Sequence, residues 1–268
     1  MRKALSVFIL FFVVALAPFF AARAETYFGN TPTGLLELSD LKYPAYLFVP
    51  EHYEGKSAFG LIVSLAENSE DLQKHIQDWA GAAQKKSMLM LALSIAPREI
   101  NVPYKNDEWL IQLKNEVKAR YRIDPTQIFL VGRGPNAHYA AYLAVNYPQE
   151  FSGAALLNGS WAGPFEKLMR FQSRAGSQVP FFVSFEKGRE EGAAEAEKRA
   201  TRLSEMGYPV HLERLEAGDE SFEARSFQER LMDWLKEKGQ SWQVVVQEQK
   251  KTSKEKFRSW FHRNVKVI

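Results

Sequence analysis

Apolar residues recur along this chain with two spacings, and the alternation between them predicts its elements. Short apolar segments rich in Val, Ile, Leu and Phe predict strands at Leu35–Leu38, Ala45–Val49, Leu61–Leu65, Leu89–Ile95, Gln127–Gly132, Gly153–Asn158, Pro180–Phe185 and Val210–Leu215. Amphipathic stretches predict helices at Glu70–Lys85, Asp107–Arg120, Asn136–Asn146, Gly163–Arg174, Glu190–Met206 and Ser221–Lys238. The central strands are apolar throughout, as strands buried on both faces must be, so the pattern implies an α/β fold with a mostly parallel sheet between two helical layers. The short leading strands point to an antiparallel edge. With no internal repeat, low-complexity linker or second core, residues 25–240 read as one domain and 241–268 as an appended tail.

The N-terminus follows a different logic. Arg2 and Lys3 precede an apolar run from Ala4 to Phe20, broken by Pro18, and Ala22-Arg23-Ala24 supplies a small-x-small cleavage site before Glu25. This order fits a secretory signal, residues 1–24, and an exported protein, periplasmic or secreted. The length of the apolar run also fits an uncleaved membrane anchor.

Composition narrows the chemistry. Of 268 residues, 46% are hydrophobic and 25% charged, with a mean hydropathy of -0.32, as in a folded globular protein and unlike a polytopic membrane protein. The absence of cysteine excludes disulfides, zinc-thiolate and iron-sulfur sites, a cysteine nucleophile and a lipoprotein anchor. Loss of Arg2, Lys3 and Arg23 with the signal reduces the 35 basic residues to 32 against 32 acidic ones, so the charge gives no support for nucleic-acid binding. The charge is unevenly spread: residues 241–268 hold seven Lys or Arg and two acids, a net +5, which leaves the body at -5.

Ligands of a doubly covered parallel sheet bind at the carboxyl ends of the strands, so the strand-to-helix turns are the places to look for a site. The segment Ile123-Asp124-Pro125-Thr126 leads through an apolar strand into Gly132-Arg133-Gly134-Pro135-Asn136, a helix of small residues and Tyr147-Pro148. Together with the Tyr46–Pro50 strand and the Gly207–Val210 lead into the last strand, this resembles the alpha/beta-hydrolase superfamily, specifically secreted esterases related to feruloyl esterases and polyhydroxybutyrate depolymerases. The resemblance covers roughly Tyr43 to Gly239.

Such esterases carry Gly-x-Ser-x-Gly at a sharp elbow, where the serine is the nucleophile and the following N–H donates to the oxyanion. The resemblance puts Gly134 in the serine's place and Pro135, which has no N–H, immediately after it. It puts Glu67 in the turn that usually supplies the second oxyanion donor, where a carboxylate would repel the developing charge. The triad acid falls at Gly188, with Glu186 or Glu190 if the frame slips by two residues. The histidine falls at Glu220, and no histidine lies between His211 and His262. An esterase scaffold with degenerate catalytic positions is the implied reading, with no cofactor and no metal.

Several residues carry two readings. Ser160 follows a predicted strand and is either a substitute nucleophile or a loop serine capping the next helix. His138, one turn beyond Gly134, either packs in its helix or contacts a ligand. Arg133, Glu67 and Glu220 converge in this frame, as a repurposed polar pocket or as an ion pair filling a disused one. His52 and His75 lack metal-ligand spacing and receive no role. The charge run at Glu190, Glu191, Glu195, Glu197, Lys198 and Arg199 reads as a solvated helix face. In the tail, Gln243–Gln247 has the composition of an edge strand, and Thr252–Ile268 places Phe257, Trp260, Phe261, Asn264 and Val265 near one helical face. That face either docks on the acidic body or, with its flanking cations, meets an anionic surface or partner.

Three functions follow: an inactive esterase homologue that binds an unknown ligand or protein partner, an active carboxylesterase-type hydrolase with an atypical site, and a passive platform for the tail. The signal itself is testable. Protein recovered from the exporting host is expected to begin at Glu25, read by N-terminal sequencing; residue 1 retained on membrane-bound material would mean an anchor.

Overall fold

In the strand Phe59–Leu65 all seven residues are buried, because the two-residue period sends Leu61, Val63 and Leu65 into one core and Ile62 into another on the opposite face. That strand sits near the centre of an eight-stranded sheet. The computed structural model describes residues 31–66, 72–95, 106–161, 164–172, 178–186, 190–215, 221–239 and 241. The elements are β1 (Gly34–Leu38), β2 (Ala45–Val49), β3 (Phe59–Leu65), α1 (Leu72–Lys86), β4 (Met88–Leu93), α2 (Asp107–Arg120), β5 (Ile123–Arg133), α3 (Asn136–Asn146), β6 (Gly153–Leu157), α4 (Pro164–Leu168), β7 (Phe181–Glu186), α5 (Glu190–Glu205), β8 (Val210–Leu215) and α6 (225–239).

The strand order is β1-β2-β4-β3-β5-β6-β7-β8. β1 pairs antiparallel with β2 and β2 antiparallel with β4, and every other pairing is parallel. The expected parallel sheet with an antiparallel edge is therefore present. α1 and α6 cover one face, burying Ile76, Trp79, Phe227, Leu231 and Leu235; α2, α3 and α5 cover the other through Leu110, Val117, Tyr139, Leu143, Ala196 and Leu203. Among the described residues no helix is long and apolar enough to cross a membrane. The expected signal, residues 1–24, and the tail from 242 onward lie outside the described residues.

Two predicted elements differ from the observed ones for identifiable reasons. The helix expected over Gly163–Arg174 is only Pro164–Leu168. Beyond it, the Arg170 N–H donates to the Asn146 side-chain oxygen and the Gln172 N–H to the Tyr208 hydroxyl, so distant side chains take backbone donors that a longer helix would use. β5 begins at Ile123 instead of Gln127. The Asp124 carboxylate there accepts from the Thr126 N–H and hydroxyl and from the Gln127 amide, holding an irregular start whose register shifts between Phe59 and Leu61.

Two polar anchors hold helices to this sheet. Asp107, 1% exposed at the start of α2, accepts hydroxyls from Tyr139 (2.7 Å), Tyr142 (2.8 Å) and Tyr147 (2.8 Å). A buried carboxylate demands such partners, and its place in the first turn of a helix also favours the negative charge. Burial and the bond to Asp107 push the Tyr147 hydroxyl up to about 12; burial and the Asp107 charge raise Tyr139 as well. On the other face, His75 of α1 bonds Ser64 of β3 through Nε2 and Oγ at 2.8 Å. Burial, with the Arg133 charge behind it, lowers His75 to about 4, so the ring is neutral near neutral pH.

Removing the Asp107 carboxylate strands up to three hydroxyls in the core. Asp107→Ala is expected to cost about 3 kcal/mol or more, and Tyr147→Phe only about 1 kcal/mol, in urea unfolding midpoints. Equal small losses would show that the cluster is solvated. His75 gives a pH signature: between 6.5 and about 4 the unfolded chain binds a proton that the folded chain refuses, so stability falls as pH drops through that window. His75→Gln keeps a hydrogen-bonding partner for Ser64 and is expected to flatten this decline between pH 7 and pH 4.5; an unchanged slope would assign it to other groups.

Candidate functional site

The turn from β5 into α3 brings helix and strand into close contact. A Cβ at Gly132 would lie 2.5 Å from the Asn136 carbonyl oxygen and 2.8 Å from the Ala137 Cα, closer than real Cβ atoms come, so only glycine lets the helix lean on the strand here. Gly134 then takes a left-handed φ of 53°, and its N–H donates to the Leu157 carbonyl at 2.8 Å. Pro135 follows with helical dihedrals and opens α3. Gly159, after β6, fits directly against the Gly134 carbonyl and the Ala137 side chain, again with no room for a Cβ.

Asn136 is 2% exposed and reaches sideways, its amide donating to the carbonyls of Leu65 and Ala66 at the end of β3. The carboxyl ends of β3 and β5 are thus tied together by a side chain at the position where the esterase motif would have its last glycine.

Arg133, the last residue of β5, points to the α1/α6 face. Its guanidinium bonds the Glu223 carboxylate through Nη1, approaches Glu186 at 3.8 Å through Nη2, and lies 5.4 Å from the Phe222 ring centre. Glu186, the last residue of β7, also accepts from the Asn158 amide at 2.7 Å and the Phe222 N–H at 3.3 Å, while its own N–H donates to the Asn158 side-chain oxygen at 2.9 Å. Asn158 holds this position with a left-handed φ of 50°, a conformation that asparagine tolerates better than most residues. Burial pulls the Glu223 carboxyl upward, but the bond and charge of Arg133 outweigh it and hold the group below the usual carboxylate range.

The cluster therefore joins the ends of β5, β6 and β7 to the segment ahead of α6. The sequence frame has Arg133 converging with Glu67 and Glu220; both of these, like Gly188, lie outside the described residues, and among the described residues the acids on Arg133 are Glu186 and Glu223. His138 is half-buried in the first turn of α3, Pro135 is exposed, and Ser160 is 9% exposed next to Gly159. His75 and Ser64, given no role from sequence, border the cluster through the Arg133 and Glu223 charges. Ser64 is 1% exposed beneath α1, and its hydroxyl meets the half-buried His75 there. Glu186 is one of the two alternatives that the sequence offers for the triad acid; of the residues missed, Asn158 stands just past a strand end, the one signal that marks it, and Glu223 has none.

Chemically, Arg133 and its two carboxylates form an ion-pair set in which the guanidinium hydrogen-bonds Glu223 and lies 3.8 Å from Glu186. Position 134 has no side chain to act as nucleophile, and position 135 has no N–H to offer.

No protein-family profile matches the sequence, and no curated protein matches it. Solved structures do match in fold. A thermostable esterase aligns at 16% identity and a TM-score of 0.52 over 80% of this chain, which spans 62% of that enzyme's length. Thermogutta terrifontis esterase 2, phosphoramylated by tabun, aligns at 14% identity and 0.55, covering 79% of this chain and 97% of the other. An S-formylglutathione hydrolase of Staphylococcus aureus aligns at 8% identity and 0.51, covering 75% and 97%. With its mostly parallel eight-stranded sheet between helical layers, the chain has the alpha/beta-hydrolase fold of these esterases.

Proposed function

We propose that this protein is an exported esterase homologue that does not turn over esters and acts as a binding or structural module. One observation carries the reading: the elbow holds glycine at the left-handed position, proline directly after it, and the arginine before it in an ion-pair cluster with Glu186 and Glu223. Acyl transfer at such an elbow needs a hydroxyl at the bend, a base within reach and a donor for the oxyanion. Gly134 and Pro135 remove the first and the last of these.

A second reading, an active carboxylic-ester hydrolase with an atypical nucleophile, is favoured by the esterases among the structural neighbours and by Ser160 beside the elbow. An acyl-ester panel and a fluorophosphonate probe on the purified mature protein separate the two. The inactive reading expects no labelling; stoichiometric labelling of any serine overturns it, and labelling lost in Ser160→Ala would identify the nucleophile.

Restoring the hydroxyl alone is not enough on this reading. Gly134→Ser still lacks the donor denied by Pro135, and a missing oxyanion donor costs about 3–4 kcal/mol of transition-state stabilisation. The variant is expected to hydrolyse p-nitrophenyl acetate no faster than the parent. Turnover orders of magnitude above the parent would show that another donor serves the oxyanion.

A further inference from the structure

Away from the elbow, the outer side of α2 carries a shallow depression of about 490 Å³ with mostly apolar walls, lined among the described residues by Glu108, Ile111, Gln112, Asn115, Glu116 and Ala119. These positions repeat every three or four residues, forming one stripe on the side of α2 opposite the buried Leu110, Leu113 and Val117. The stripe is acidic: among the described residues Glu108 has no cation partner, and Glu116 accepts only from Gln112 at 3.3 Å.

We propose that this stripe is the docking site of the chain's own C-terminal segment, residues 252–268. Phe257, Trp260, Phe261 and Asn264 have the same three-to-four spacing, so two helical stripes of matching period would meet. The charges are complementary, since residues 241–268 carry a net +5 and Lys254 and Arg258 flank the aromatic face.

The path is short enough. α6 ends where Gly239 packs on Phe129 within β5 and on the Ser152 carbonyl just before β6, and Tyr121, which caps α2, stands two residues before β5. The 18 residues from Gly239 to Phe257 span up to about 60 Å when extended, enough to round the sheet and reach a helix about 21 Å long. Apolar burial of the aromatic residues supplies the attraction, and the two glutamates set the register of the cations.

The test uses the full mature chain and hydrogen–deuterium exchange of the peptide 252–268. Glu108→Arg with Glu116→Arg is expected to raise its exchange at least about tenfold, with the melting temperature of the body unchanged. Trp260→Ala with Phe261→Ala is expected to do the same, and adding Lys254→Glu with Arg258→Glu to the α2 variant is expected to restore protection. Exchange that is indifferent to the α2 charges overturns the proposal. So does protection of the peptide only when vesicles of phosphatidylglycerol are added, which would make the segment a lipid-binding element.

Discussion

The close crossing of β5 and α3 at Gly132 is the constraint on which the rest of the structure depends. Because no Cβ stands between strand and helix, α3 lies directly on the sheet and its direction is fixed from its first turn. From that placement Asn136 reaches the carbonyls of β3, while Tyr139 and Tyr142 reach the Asp107 carboxylate and set the start of α2. Gly159 closes the same crossing from the β6 side. A side chain at either glycine would displace α3 and pull all of these contacts out of reach together.

The two faces of the sheet treat charge differently. On the α2/α3 face the Asp107 carboxylate is shielded from solvent and accepts three tyrosine hydroxyls, hydrogen bonds that offset its desolvation. Lys114 on the same helix is also buried, but it has Glu150 at 2.7 Å; burial still lowers its amine below the usual lysine range. On the α1/α6 face the charges cluster near the strand ends, partly open to water, with Arg133 between two carboxylates and a neutral His75 behind. The first arrangement is core architecture, and the second lies where this fold presents its strand ends to ligands.

The layers of the fold were legible because they rest on local periodicity. The bounds of β2, β8, α2 and α3 coincide with those expected from the apolar pattern; β2 and α2 each bury one face and α3 is buried almost throughout, while β8, at the sheet edge, is bounded by its Val210 and Leu215. The elbow was legible too, because a glycine pair between an apolar strand and a small-residue helix is a local signal. What the sequence concealed lies in encounters between distant residues. Arg133 and Glu223 are 90 residues apart and Asn158 and Glu186 are 28 apart, and no period links them. The three tyrosines on Asp107 read only as residues of neighbouring helical patterns, since nothing local announces that a carboxylate 32 to 40 residues away needs their hydroxyls. The shortening of α4 has the same origin: Asn146 and Tyr208 capture its backbone from outside the segment.

Proline beside the bend couples two neighbouring positions. A hydroxyl placed at position 134 meets no N–H from residue 135 while Pro135 remains, and an N–H placed at 135 has no hydroxyl at 134 to serve while Gly134 remains. Arg133, bound to Glu186 and Glu223, fixes the residue on the other side of the bend. The two positions therefore form an epistatic pair: the effect of changing one depends on which residue stands at the other, and single substitutions at this turn report on neither alone.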